Sequence, residues 1–321
     1  MASDRKAARV GRLVRKLDDL LAKGDVYESH QLYKTIFFRY STHNQHTDAA
    51  QLVFDGASNF LAQSTSIASF SSGKELACMF VQAHIDGHLP VSDSSLDKLK
   101  ILLELLGPGG DDRQTFVRLA VEWSKSCSTE HAKFGDPSVH RVIALVCWRY
   151  KDFAQARWHF LHADNAEEYA AMLVEFSSAA DRPDEVDLYI AQSILHLLVL
   201  EKISQARLLF ERFLAAHPDI KCERPPFSLP LLNFLSLLLN ASEKKMVDGF
   251  KALRQVYAPS LQRDSAYEQS LDRIGEKIFD IKSKSGGGGI EDILRSFTSN
   301  MAVTESARPV ACARLPDEDV D

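Results

Sequence analysis

Cysteine is scarce in this sequence and shows no pairing. The five residues Cys78, Cys127, Cys147, Cys222 and Cys312 lie far apart, and no CxxC pair occurs. That leaves no zinc knuckle or thioredoxin-like redox site of recognised spacing, and scattered thiols of this kind suit a reducing compartment. A surplus of Lys and Arg is also missing. The net charge of −6 argues against general affinity for nucleic-acid backbones. No apolar run reaches the about 20 residues that a bilayer span takes; the most apolar stretch, Leu229–Leu239, is interrupted by Pro230, Asn233 and Ser236. The opening MASDRKAARVGRLVRKL lacks the apolar core of a secretory signal. It is basic and amphipathic, as a mitochondrial presequence is, but Asp4, Asp18 and Asp19 weigh against that reading. The expectation is a soluble, cytosolic protein with no nucleic-acid partner and no direct membrane insertion.

Signatures of catalysis are equally sparse. There is no GxSxG elbow, Walker loop or GxGxxG turn. The glycine cluster Gly286–Gly289 precedes a short acidic segment, the wrong sign for a phosphate cradle. His84 and His88 have the i, i+4 spacing that can present two imidazoles to a metal, yet Gly87 and Pro90 end a helix there and a third ligand is missing. His159, His162 and Asp164 lie within about one turn, but Trp158 and Phe160 flank the first, which favours packing and a helix-end hydrogen bond. Cys127, His131, His140 and Cys147 are zinc-ligand types without a zinc-site spacing. A hydrolase or metal enzyme built on His84, His88 or the His159–Asp164 group is the rival reading. The expectation is no enzyme, no metal and no cofactor.

What the chain does contain is helical periodicity, supported by 45 % hydrophobic and 26 % charged residues. Val10, Leu13, Val14, Leu17, Leu20 and Leu21 form one apolar stripe, while Arg5, Arg9, Arg12 and Lys16 fall together on a separate flank. Gly24-Asp25 then stops this helix and caps the next, expected from about Val26 to Tyr40. The starts Asp25-Val26-Tyr27-Glu28-Ser29, Asp152-Phe153-Ala154-Gln155-Ala156 and Lys202-Ile203-Ser204-Gln205-Ala206 repeat one pattern. In each, a small residue (Ser29, Ala156, Ala206) precedes an aromatic (Tyr33, Phe160, Phe210) by four positions, an offset shared by Ala50 and Phe54. Small residues let helices approach and the aromatic one turn on fills the gap, which is how antiparallel pairs stack in a solenoid.

Breaks at Ser64–Gly73, Gly107–Gly110, Phe134–Pro137, Arg182-Pro183 and Arg224–Pro226 leave segments of helix-pair length. The expected fold is all-α: a right-handed α-solenoid of antiparallel, tetratricopeptide-like helix pairs, with residues 217–230 the best place for a small extended hairpin. Residues 1–150 and 151–281 are expected as two helical-repeat halves. Residues 282–321 read as a flexible, Gly-linked acidic tail, holding the short amphipathic piece Ile290–Phe297. Charge is uneven: residues 1–24 hold seven Lys/Arg against three Asp, and residues 301–321 five acids against two Arg. The basic flank reads either as a solvated face or as an electrostatic docking site. Leu229–Leu239 reads either as buried core or as a helix shared with a partner.

A family resemblance supplies what periodicity cannot. Gly24-Asp25-Val26-Tyr27-Glu28-Ser29-His30-Gln31, running on to Arg39-Tyr40, resembles the GDYYEAHQ…RY signature of the Golgi-to-ER traffic protein 4 family. The resemblance continues in order through Gly56-Ala57, Trp123-Ser124, Phe134–Pro137, Arg157–Leu161 and Met172–Glu175. It extends through His217-Pro218, Pro225–Phe227, Pro230–Phe234, Pro259–Leu261 and Leu271–Gly275, spanning roughly residues 10–298. In animals the members are subunits of the transmembrane-domain recognition complex. The resemblance implies an α-solenoid adaptor without an active site, acting in the targeting of tail-anchored proteins to the endoplasmic reticulum (ER). It implies an N-terminal half that recruits the guided-entry targeting ATPase, favouring its ATP-bound form. The C-terminal half would hold a ubiquitin-like co-chaperone or a large BAG-type scaffold that carries it. By position, the ATPase-facing candidates are Tyr27, Glu28, Arg39, Tyr40 and Glu75, joined by the basic flank Arg5, Arg9, Arg12 and Lys16. The co-chaperone candidates are Pro225, Pro226, Phe227, Leu231, Leu232, Asn233 and Phe234. Val26 stands where the family signature has tyrosine, losing a ring and a hydroxyl. Without the family, a generic helical-repeat scaffold of another trafficking or quality-control assembly is the alternative.

Overall fold

The apolar stripes and stop signals of the sequence are realised as helices throughout a computed structural model of the chain, which describes residues 2–63, 66–179, 182–221 and 224–281, with side chains from Gly11 onward. The order begins α1 (Ala2–Lys23), α2 (Val26–Thr42), α3 (His46–Ala62), α4 (Ile67–Asp86) and α5 (Asp93–Leu105). It continues α6 (Asp111–Cys127), α7 (Pro137–Arg149), α8 (Phe153–Phe160), α9 (Ala166–Ala179) and α10 (Val186–Val199). It closes α11 (Ile203–Ala216), α12 (Pro230–Glu243), α13 (Val247–Val256), α14 (Ala258–Leu261) and α15 (Ala266–Ile278). Among the described residues there is no strand.

One turn recurs between antiparallel helices. Gly24 ends α1 with φ +74°, and the next residue, Asp25, donates its amide back to Leu20 O at 3.2 Å. Asn44, Lys151, Glu201 and Lys245 take the same left-handed conformation. The residue after each, in turn Gln45, Asp152, Lys202 and Met246, donates to the carbonyl five positions earlier at 2.9–3.0 Å. This is the Schellman closure of one helix, and the donor residue is already the N-cap of the next. At Asp25 and Asp152 the carboxylate completes the cap by accepting from Glu28 N and Gln155 N, at 3.0 and 3.2 Å.

Helices joined this way stack in series. α3 packs on α2, α4 and α5; α4 packs on α6, α5 on α7, and α9 on α11. The small-then-aromatic pairs sit in these contacts: Ser29, Ala156 and Ala206 are fully buried, with Tyr33, Phe160 and Phe210 nearly so. Ala50 is buried as well, but Phe54 is only partly covered. Gly56 marks one close approach, since a Cβ there would lie 2.8 Å from the Tyr33 ring and 2.9 Å from Leu76 Cδ1. The result is an α-solenoid whose apolar core runs without a break from Leu17 to Phe279, and so continues across residue 150. Its most enclosed member is α10, predominantly apolar, buried along most of its length and packed against α9, α11, α12 and α15. Arg263 reaches the buried Asp187 of this helix through two hydrogen bonds, at 2.9 and 3.0 Å.

The hairpin expected at 217–230 does not form among the described residues. His217 is buried and bonded to Ser177 Oγ at 2.9 Å, and Pro225 and Pro226 have no amide hydrogen to give a ladder. The Asn233 side chain stands in for a second strand. Its Oδ1 accepts from Phe227 N and its Nδ2 donates to Phe227 O, both at 2.8 Å. Residues 222–223 and the tail expected at 282–321 lie outside the described residues.

Candidate protein-docking surfaces

The first candidate surface is the outward side of α2, held in place by its buried side. Tyr33, Ile36 and Phe37 face the core, so Tyr27 and Phe38 must face away. They are 73 % and 58 % exposed, and eleven residues at 100° per residue place them about 20° apart on one stripe, about 16 Å along the axis. Glu28 and Arg39 are exposed beside them, while Tyr40 is half-buried. Glu75, from α4, is exposed and joined to this edge by Lys34 and by His30 Nε2 at 3.2 Å. Burial holds the His30 pKa down, outweighing the pull of Glu75. On α1, Leu17 and Leu20 are buried and Arg12 and Lys16 exposed; the Arg5 and Arg9 side chains lie outside the described residues. Val26 is half-buried against the core. Phe38 was not among the candidates read from the sequence, although the same wheel that places Tyr27 outside also places it there.

The second candidate surface needs correcting. Leu231, Leu232 and Phe234 are at most 1 % exposed and Phe227 is 7 % exposed against Phe210; Asn233 is occupied by the Phe227 backbone. In this chain these side chains are core and turn, and only Pro225 and Pro226 of the candidate set are exposed. The outward apolar residues nearby are Leu237 on α12, Met246 at the α12–α13 turn and Val256 on α13. Leu237 shares its face with Asn233 and Asn240, whose polarity marks that side of α12 as outward.

Of the histidines read as metal or catalytic candidates, His84, His140, His159 and His162 are taken up by packing. His84 Nδ1 bonds Phe80 O at 2.9 Å and its ring meets Trp123 edge-on, whereas His88 is exposed with φ +47°. Asp164 pairs with Lys202 at 2.8 Å. His140 Nε2 donates to Phe134 O at 2.7 Å, which fixes its tautomer, and its Nδ1 accepts from His159 Nδ1–H at 2.9 Å. Phe134 stacks on His162, with ring centroids 4.9 Å apart. Burial pushes His140 down to about 4 and His162 and His196 to about 3. His159 lies well below its usual value for the same reason, with further pressure from His140 and His162. Cys127 donates to backbone carbonyls of Trp123 and Leu89, and Cys147 accepts from Arg113. Among the described residues no three His, Cys, Asp or Glu side chains are placed to hold a metal, and no helix is long and apolar enough to cross a membrane.

A continuous helical-repeat core with apolar and charged side chains displayed at both ends defines an α-solenoid. The sequence model of the family described as Golgi to ER traffic protein 4 matches residues 43–298. A Golgi to ER traffic protein 4 homolog of Homo sapiens is 36 % identical over 91 % of this chain and 88 % of its own length. Homolog B of Xenopus laevis is 36 % identical over 92 % and 89 %. The crystal structure of C. therm. Get4 superposes with a TM-score of 0.74 over 97 % of this chain and 100 % of that one, a likeness of fold at 24 % identity. The chain belongs to the Golgi to ER traffic protein 4 family, and its role lies in Golgi-to-ER traffic.

Proposed function

We propose that the protein is a cytosolic adaptor. It couples a guided-entry targeting ATPase to a ubiquitin-like co-chaperone, or to a large BAG-type scaffold carrying that co-chaperone. The coupling serves post-translational insertion of tail-anchored proteins into the ER membrane. The observation that carries this reading is the exposed Tyr27–Phe38 stripe with Glu28 and Arg39 beside it, in a chain of this family. Aromatic anchors bordered by charge are the usual make-up of an interface hot spot. Arg12 and Lys16, with Arg5 and Arg9, supply the steering charge, which speeds encounter with an acidic surface and weakens in salt. The co-chaperone is assigned to the other half, where Pro225, Pro226 and Leu237 are accessible. Holding both partners raises their effective concentration toward each other and needs no covalent step.

Calorimetric titration with the ATP-bound targeting ATPase tests the reading. The double variant Tyr27→Ala/Phe38→Ala should bind at least tenfold more weakly, about 1.4 kcal/mol or more, with unchanged helical circular dichroism. Charge reversal at Arg5, Arg9, Arg12 and Lys16 should weaken ATPase capture more than co-chaperone capture. Equal loss would mean that the flank only solvates the helix. Absence of ATPase binding at low salt would overturn the proposal and leave a generic helical-repeat scaffold.

A further inference from the structure

Between α6 and α8 the solenoid opens into a groove of about 750 Å³, a volume typical of ligand-binding clefts. Its walls are basic. Arg113 is 5 % exposed, yet its guanidinium meets the Gly107 carbonyl, Cys147 Sγ at 3.4 Å and the face of Tyr150, and no carboxylate among the described residues. Arg118 is exposed on the same helix and makes no ion pair among the described residues. Lys133 lies over the Phe134 ring at 4.9 Å. The acidic lining residues are already engaged: Glu122 pairs with Lys125 at 3.1 Å, and Asp152 caps α8. The groove histidines His140, His159 and His162 add no compensating negative charge. A buried guanidinium without an anion beside it is costly unless one arrives, and Trp158 and Phe134 offer apolar walls next to it.

We propose that this groove holds the chain's own acidic segment Leu315–Asp321, whose residues Asp317, Glu318, Asp319 and Asp321 match the basic walls and whose Leu315 and Val320 match the aromatic ones. The reach is ample. From α15 to α8 the packing runs through α10 and α9, three interaxial steps or about 30 Å. The intervening residues 282–314 are long enough to cover it, since a chain of that length reaches up to about 110 Å. Tethering supplies an effective concentration on the order of millimolar. The basic flank of α1 is the competing site, but Arg12 and Lys16 there are exposed, where salt screens them, whereas Arg113 in the groove is buried. The proposal stands apart from the partner assignments above.

Zero-length carbodiimide crosslinking of the full chain, mapped by mass spectrometry, tests it. Asp317, Glu318 or Asp319 should couple to Lys125 or Lys133, with yield falling at least fivefold in 0.5 M salt and in Arg118→Glu. A mixture of isotope-labelled and unlabelled chains should show these crosslinks within one chain. Coupling mainly to Lys6, Lys16 or Lys23, between chains, or not at all would overturn the proposal. In a second arm, a fluorescent peptide of residues 315–321 should bind the Asp317→Asn/Glu318→Gln/Asp319→Asn chain at least tenfold more tightly than the unaltered chain, because the tail no longer competes. Equal affinity would show that the tail leaves the groove empty.

Discussion

Lowering the pH from 7.5 to 5 should remove a large part of the stability of this fold before most carboxylates of ordinary pKa are protonated. His140 is held at about 4, and His162 and His196 at about 3, against about 6.5 in an unfolded chain. Between pH 6.5 and 4 the unfolded chain therefore binds protons that the folded chain refuses, and stability falls as pH falls through that window. At pH 5 each of the three contributes about 2 kcal/mol of destabilisation relative to pH 7.5, on the order of 4–6 kcal/mol together. His159, His84, His30 and His217 act in the same direction, since burial lowers each of them. The assay is urea unfolding followed by circular dichroism at pH 7.5, 6.5, 5.5 and 5.0. The midpoint should drop steadily below pH 6.5 at constant slope, and His140→Gln should make that drop shallower while lowering stability at pH 7.5. A midpoint that stays flat from pH 7.5 to 5, or imidazole resonances of these histidines titrating above pH 6, would refute the reasoning.

Three further perturbations address the packing directly. Gly56→Ala places a methyl 2.8 Å from the Tyr33 ring, and the overpacking should cost about 1–3 kcal/mol, seen as a lowered melting temperature. Lys245→Gly relieves a left-handed backbone conformation at φ +50° and should raise stability by about 1 kcal/mol by denaturant titration; a loss would show that this turn is not strained. Asn233→Leu leaves the Phe227 amide and carbonyl without their partners. It should cost about 1–3 kcal/mol and speed hydrogen exchange at Phe227 specifically.

Helix identity and the repeat logic were legible because they rest on local signals. Gly24-Asp25 marks a turn by the conformational freedom of glycine and the capping power of aspartate, and α2 begins at Val26 as expected. The same turn at Asn44-Gln45 and Lys245-Met246 carries neither signal, since the left-handed residue is not glycine and the N-cap side chain makes no capping bond. The hairpin expected at 217–230 came from its prolines. What sets the conformation there is a tertiary bond from Asn233, which lies on the following helix. Burial of Leu231, Leu232 and Phe234 together with exposure of Leu237 follows from one helical wheel of α12. The residues singled out by family position lie mostly on the inward face of this helix. The His140–His159–His162 cluster joins α7 to the α8 end through residues 19 and 22 positions apart, a separation at which no local spacing rule applies.

The account rests on two separate faces of one solenoid being occupied together. The most direct test is a titration of the ATP-bound targeting ATPase into the chain alone and into its purified complex with the co-chaperone. Affinities within about twofold of each other, together with a Tyr27→Ala/Phe38→Ala chain that keeps the co-chaperone and loses the ATPase, are the predicted result. Displacement of the co-chaperone as the ATPase binds would contradict it.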